Sequence, residues 1–228
     1  MGIRCGLNGC PDVIMPAMTW VIAHADSVPP LECPDISRLR WVGSSTAGPE
    51  FVHPPEKRVA EWLFGEGCGV RRESAAVSAL EVTFTPPRSV LRAAFGGRLR
   101  DRLDAVLSAH EHAVEETLTT WERHATAVRF DTCAGVEWCP AVGLAGLSEI
   151  EICAERQLIC TRLHVSTVAL TLDDAQWRTL VVERFLDWQT HAWSQYQRLL
   201  TLGVRRSLGW GFEFAPLNPA RQVVADAG

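Results

Sequence analysis

In the stretch CTRLHVSTVALTL, residues 160–172, strand alternation would put Arg162, His164, Ser166 and Val168 on one face. Leu163, Val165 and Thr167 would then face the other way. A histidine and a serine two residues apart on a polar strip can hold a metal ion or a phosphate. The same pattern also fits a solvent-facing or helix-covered strand with an incidental histidine. A second polar group lies in LEVTFTPPRSVL, residues 80–91. Val82 and Phe84 have the character of a half-buried strand, with Glu81 at its head. Pro86 and Pro87 cannot continue a ladder, and they hold Thr85 and Pro86 extended before Arg88 and Ser89. Such a corner is either a plain strand end or a way of fixing a cation and a hydroxyl at the rim of a sheet.

The remaining ligand-type residues are less organised. The eight cysteines (5, 10, 33, 68, 133, 139, 153 and 160) form no CxxC pair, so their spacing does not point to a structural zinc site. His110, His112 and His124 ride one predicted helix, where 110 and 124 are too far apart along the axis to share an ion. Trp121, Trp188 and Trp193 fall at helix-face positions and read as core rather than as base-stacking platforms.

These residues belong to a chain of 228, enough for one medium-sized domain with a real core; 47% of its residues are apolar and 21% charged. Net charge is −5, so no global basic field advertises a nucleic-acid partner, although a local patch can exist among the arginines. Lys57 is the single lysine. No run approaches the roughly 18 apolar residues of a membrane helix, and the first residues lack a signal-peptide pattern. The expectation is a soluble, cytoplasmic protein with reduced thiols and no membrane partner.

Residues 1–58 are rich in Pro, Gly, Cys and Ser, and 1–37 reads as an irregular N-terminal arm. Val59, Trp62 and Leu63 suit a short helix stopping at GEGCG. A long helix is predicted over about 98–127, with Leu99, Leu103, Val106, His110, Val114, Leu118 and Trp121 on one face. DTCAGVEWCPAVGLAG breaks it and holds a strand. Strands follow at about 147–153 and 158–170, with LDDAQW as a hairpin turn. A second helix spans about 183–208 and stops at Gly209; WGFEFAP is a last short strand and 217–228 a loose tail. The pattern is α+β: an antiparallel central sheet with two long helices packed on one face.

EVTFTPPRSV resembles the DLTFSAPKSVS motif of TrwC-type conjugative relaxases, the MobF class of HUH endonucleases. In the family's order follow likenesses in RLRWVGSSTAG (which precedes that strand), AHEHAVEETLTTWERHA, TRLHVSTVALTLDDAQWRTL and WSQYQRLLTLGVRRSLGWGFEFAP. The resemblance covers roughly residues 38–216, taken as the relaxase-like domain. It implies a fold that nicks single-stranded DNA through an N-terminal tyrosine. A divalent metal on three histidines polarises the scissile phosphate, and an acidic residue supports one histidine.

Carried over residue by residue, the resemblance gives an incomplete site. Glu81 takes the supporting acid position, Arg88 the family's lysine and Ser89 its serine. His164 matches the first histidine of the H-x-H pair, Ser166 replaces the second, and Cys153 falls, by counting without gaps, where the third would be. Cysteine is a soft ligand that suits zinc better than magnesium or manganese. The family's double-tyrosine region has no counterpart; Tyr196, the sequence's one tyrosine, matches a packing position.

Three functions follow as expectations. The first is a degenerate relaxase-like domain that binds single-stranded DNA without cutting it, through Arg88, Ser89 and Arg162, in plasmid mobilisation alongside a conjugation or helicase protein. The second is an active nickase using Glu81, His164 and Cys153 as altered ligands. The third is a remnant or interaction module with no DNA role. A basic patch around His164 would favour the first, a neutral or acidic one the third.

Overall fold

The computed structural model describes residues 18–23, 37–46, 79–96, 100–172 and 176–212. Strands β1 (Met18–Ala23), β2 (Ser37–Val42) and β3 (Ala79–Phe84) come first, and β3 turns at Pro86–Pro87 into helix α1 (Arg88–Phe95). The long helix α2 (Arg100–Ala125) leads into a ribbon, β4 (Ala127–Thr132) and β5 (Gly135–Pro140). Then follow β6 (Gly146–Cys153), β7 (Leu158–Ser166), and the short pair β8 (Val168–Leu170) and β9 (Trp177–Thr179). Helices α3 (Val182–Asp187) and α4 (Gln189–Leu208) follow.

Five strands make the central sheet in the order β1-β3-β7-β6-β2, every neighbour antiparallel. Leu80, Val82 and Phe84 of β3 and Ile159, Leu163 and Val165 of β7 alternate onto one face and enter the core. There they meet α2 and α4, whose apolar stripes supply Val106, Val114, Leu118 and Trp121, and Trp193, Leu200 and Val204. The two helices approach closely where Gly203 faces Ala109; a Cβ on Gly203 would stand 2.8 Å from that of Ala109. Trp121 locks α3 onto α2, stacking on Phe185 at 4.3 Å and donating its indole N–H to the Phe185 carbonyl. Glu122 anchors the turn after β2: its carboxylate accepts from the Ser44 and Leu144 amides and the Ser44 hydroxyl.

The α+β class, the antiparallel sheet and the two long helices on one face match the sequence reading. Four details differ. Residues 18–23, inside the stretch read as an irregular arm, form β1 and pair with β3, so the sheet begins well before residue 38. MTWVIA has strand-forming Thr, Trp, Val and Ile, but its neighbours' Pro and Gly masked that signal. The strand expected over 158–170 breaks at Thr167, because the Ser166 hydroxyl accepts from the Val168 amide and turns the chain. The second helix is interrupted at Trp188, whose amide bonds to Leu186 O instead of continuing the ladder. Trp210, Gly211 and Phe212, expected to open a last strand, are in no strand. Gly209 ends α4 in the left-handed conformation, φ 71°. The short helix around Val59–Leu63, the bulk of the 1–37 arm and the 217–228 tail lie outside the described residues.

Candidate functional site

Antiparallel pairing sets the site. The β3–β7 register puts Glu81 directly opposite His164 and Thr83 opposite Arg162. Side chains directly opposite share a face and lie about 4.5–5.5 Å apart at Cβ. That face is the one turned away from the helices, since Thr161, Leu163 and Val165 occupy the other; Thr161 bonds His110 of α2. On the far side of β7, β6 sets Leu147 opposite His164, Glu149 opposite Arg162 and Glu151 opposite Cys160. The outcome is one polar strip: Glu81, His164, Arg162, Glu149 and Glu151.

Most of its charge is satisfied internally. Arg162 pairs with Glu151 at 2.9 Å and approaches Glu149 at 3.8 Å; Arg156, from the β6–β7 turn, also holds Glu151. Both glutamates are buried, and these pairs give their side chains the polar partners that burial demands. Three carboxylates (Glu81, Glu149, Glu151) stand against two guanidiniums (Arg156, Arg162), so the strip is not a basic patch. Burial holds the His164 imidazole below its ordinary pKa and Arg162 pushes the same way, against Glu81 and Glu149, which favour the cation. Burial raises the Cys160 thiol to about 11, which leaves it an inert neutral group.

The three-ligand metal centre implied by the resemblance is not assembled by these residues. Ser166 lies on the same face as His164, but its hydroxyl is taken by the Val168 amide in the strand break and is fully buried. Cys153 pairs with Leu158 at the hairpin end, six residues from the position opposite His164, which is about 20 Å along the strand. Its sulfur accepts from Arg156 Nε at 3.1 Å. Cys153 therefore lies at the far end of β6 from His164: the tight turn Ala154–Gln157 fixes the register, and Leu147 is the residue opposite His164. Among the described residues no group of three His, Cys, Asp or Glu could hold an ion.

Arg88 and Ser89 open α1 beyond the end of β3, both exposed, with Pro87 at the N-cap. No carboxylate in the first turn offsets the Arg88 charge against the helix dipole, and Arg88 makes no ion pair among the described residues.

Tyr196 is in the core as read, with a role that spacing did not reveal. Fully buried, it bonds His110 Nδ1 at 2.9 Å, and His110 Nε2 bonds Thr161 Oγ1 at 2.8 Å. This chain ties α4 through α2 to the inner face of β7. Burial lowers the His110 pKa to about 3 and raises that of Tyr196 well above its ordinary value, so the phenol is neither exposed nor ionised. Glu149 and Glu151 were also missed. The alternation in LSEIEIC was the available signal, since it places both glutamates on the face of His164 once the hairpin register is known.

The fold that carries the site is an antiparallel sheet with helices on one face and a polar His–Glu strip on the other. The family model described as TrwC relaxase matches residues 37–225, and the chain belongs to that family. Among solved structures, the metal-bound conjugative relaxase TrwC in complex with oriT DNA superposes with a TM-score of 0.69 at 19% identity, over 87% of this chain and 72% of that one. Its metal-free counterpart gives 0.67 at 19%, with the same coverage. TrwC complexed with a 27-mer DNA comprising the recognition hairpin and the cleavage site gives 0.66 at 17%, again over 87% and 72%. No curated protein matches the sequence. No described helix is long and apolar enough to cross a membrane.

Proposed function

We propose that the protein is a relaxase-family domain that binds single-stranded DNA in plasmid mobilisation, in the cytoplasm, without nicking it. The similar structures are complexes with oriT DNA, and a DNA strand is held largely through its phosphates, which calls for accessible cations. The observation that carries the reading is Arg88: exposed, unpaired among the described residues, set against a helix dipole and held beyond β3 by two prolines. Arg162 stiffens the strip through Glu149 and Glu151 and offers only its exposed edge to a phosphate. Ser89 lies beside Arg88 as a hydroxyl donor.

Binding without cutting is the reading that the burial of the sequence's one tyrosine supports. In-line attack needs an exposed nucleophile. The sequence's single tyrosine is sealed between His110, Phe84 and Trp193. Glu81, His164 and Cys153 do not converge into a ligand set, so we derive no metal-assisted step. The acidic balance of the strip favours a second reading, a face that docks a conjugation or helicase protein. One sample separates the readings. With a labelled single-stranded oligonucleotide, a retarded band on a native gel and no protein-linked DNA on a denaturing gel supports binding without cutting. A denaturant-stable adduct overturns it, and no band at low salt leaves the docking face.

A further inference from the structure

We propose a second site in this molecule, a nucleotide subsite in the cavity of about 270 Å³ between the end of α2, the β4–β5 ribbon and α3. Arg123 and His124 enter it from the last turn of α2, Arg184 from α3, and Trp138 from the outer face of the ribbon. Thr126, at the junction of α2 and β4, lines it as well.

A plain structural reading covers part of this arrangement. Cations in the last turn of a helix complement its dipole, which explains Arg123 and His124. Arg184 sits in the last turn of α3 and fits the same reading there, but a helix dipole does not explain why cations from two helices line one space, and Arg184 makes no ion pair among the described residues. It does not explain Thr126 either. That residue is 8% exposed, and its buried hydroxyl has no hydrogen-bond partner among the described residues. An orphan hydroxyl at a wall of a cavity is costly unless something fills the space and bonds to it. Two guanidiniums and a hydroxyl converging on one space fit the oxygens of a phosphate. Trp138 adds the other half: 57% exposed on a ribbon strand, its indole offers a flat face beside the cations. A phosphate next to a planar apolar ring is the chemistry of a nucleotide.

The cavity lies at the end of α2, on the helix side of the molecule, whereas His164 and Glu81 occupy the opposite face of the sheet. The nucleotide can come from a DNA strand that runs on from the sheet face, or be free in solution. The strand source rests on the DNA-binding reading above; the free source does not.

Isothermal titration of the full chain at low salt with dAMP, inorganic phosphate and a 12-nucleotide single strand tests this. The proposal expects dAMP to bind more tightly than phosphate. Arg123→Gln with Arg184→Gln should weaken dAMP at least about tenfold. Trp138→Ala should weaken dAMP about tenfold and leave phosphate unchanged. Thr126→Val, a near-isosteric change that removes the hydroxyl, should weaken both without lowering the melting temperature. If the double arginine variant also loses oligonucleotide affinity, the strand is the source; if it loses only dAMP, a free nucleotide is. dAMP binding with no oligonucleotide binding would sink the DNA reading and leave this one standing. No dAMP binding at millimolar concentration, or binding indifferent to all these substitutions in folded variants, overturns it.

Discussion

His110 shows how a single residue couples stability to pH in this fold. It is neutral and fully buried between Tyr196 and Thr161, with its pKa lowered to about 3 from an ordinary value of 6.5. An unfolded chain takes a proton on this residue below pH 6.5, and the folded one does not until near 3. Its contribution is therefore fully present above 6.5 and is lost as pH falls toward 3, by at most about 1.4 kcal/mol per unit. Urea unfolding at pH 7 and pH 5 should show a smaller acid loss in His110→Gln than in the parent; equal losses would contradict the assignment. Glu151 makes the complementary case. Its buried carboxylate is shared by Arg156 and Arg162, and Glu151→Ala should cost about 1–3 kcal/mol, because the two partly exposed arginines lose the carboxylate that joins them. A chemical-denaturation midpoint unchanged by this substitution would show that the clamp contributes nothing.

At the scale of elements, the sheet's register decides which residues meet. Gly146 opens β6 directly against β7, where a Cβ would stand 2.6 Å from the His164 carbonyl oxygen. Gly146→Val should therefore push β6 away at the His164 end and destabilise the fold by about 1–3 kcal/mol, read as a lower melting temperature. Gly203→Leu should do the same to the α2–α4 contact at Ala109. Much of this layout was legible in the sequence. The 3.6-residue pattern gave both long helices, and the alternation around Glu81 and His164 gave two strands that indeed pair residue for residue. What sequence could not reach was distance across a hairpin. Cys153 lies eleven residues before His164, and only the turn at Ala154–Gln157 shows that it points to the far end of β6. The break at Trp188 was invisible as well: no helix-breaking residue marks it, and the stacking of Trp188 on His124, at 4.7 Å, is a tertiary contact that local pattern does not carry. β1 was hidden because its partner strand lies some sixty residues away in sequence.

The whole molecule combines a relaxase fold, a polar strip with one more carboxylate than guanidinium, and a rim that carries an arginine with no ion pair among the described residues. A net charge of −5 opposes the approach of a polyanion, so binding must come from local cations and must depend steeply on salt. Single strands should bind better than duplex, because an extended strand can lie along the rim while a rigid duplex cannot follow it. His164→Ala should change affinity little in metal-free buffer, since its imidazole is kept neutral by burial and carries no charge to a phosphate. The most direct measurement is fluorescence anisotropy of a labelled single-stranded oligonucleotide across a salt series, for the parent and Arg88→Ala. The account predicts parent binding at low salt that weakens as salt rises, and a variant with lower affinity at every sequence tested and a salt slope shallower by about one unit. An Arg88→Ala titration that superposes on the parent, or no parent binding at the lowest salt, would contradict it.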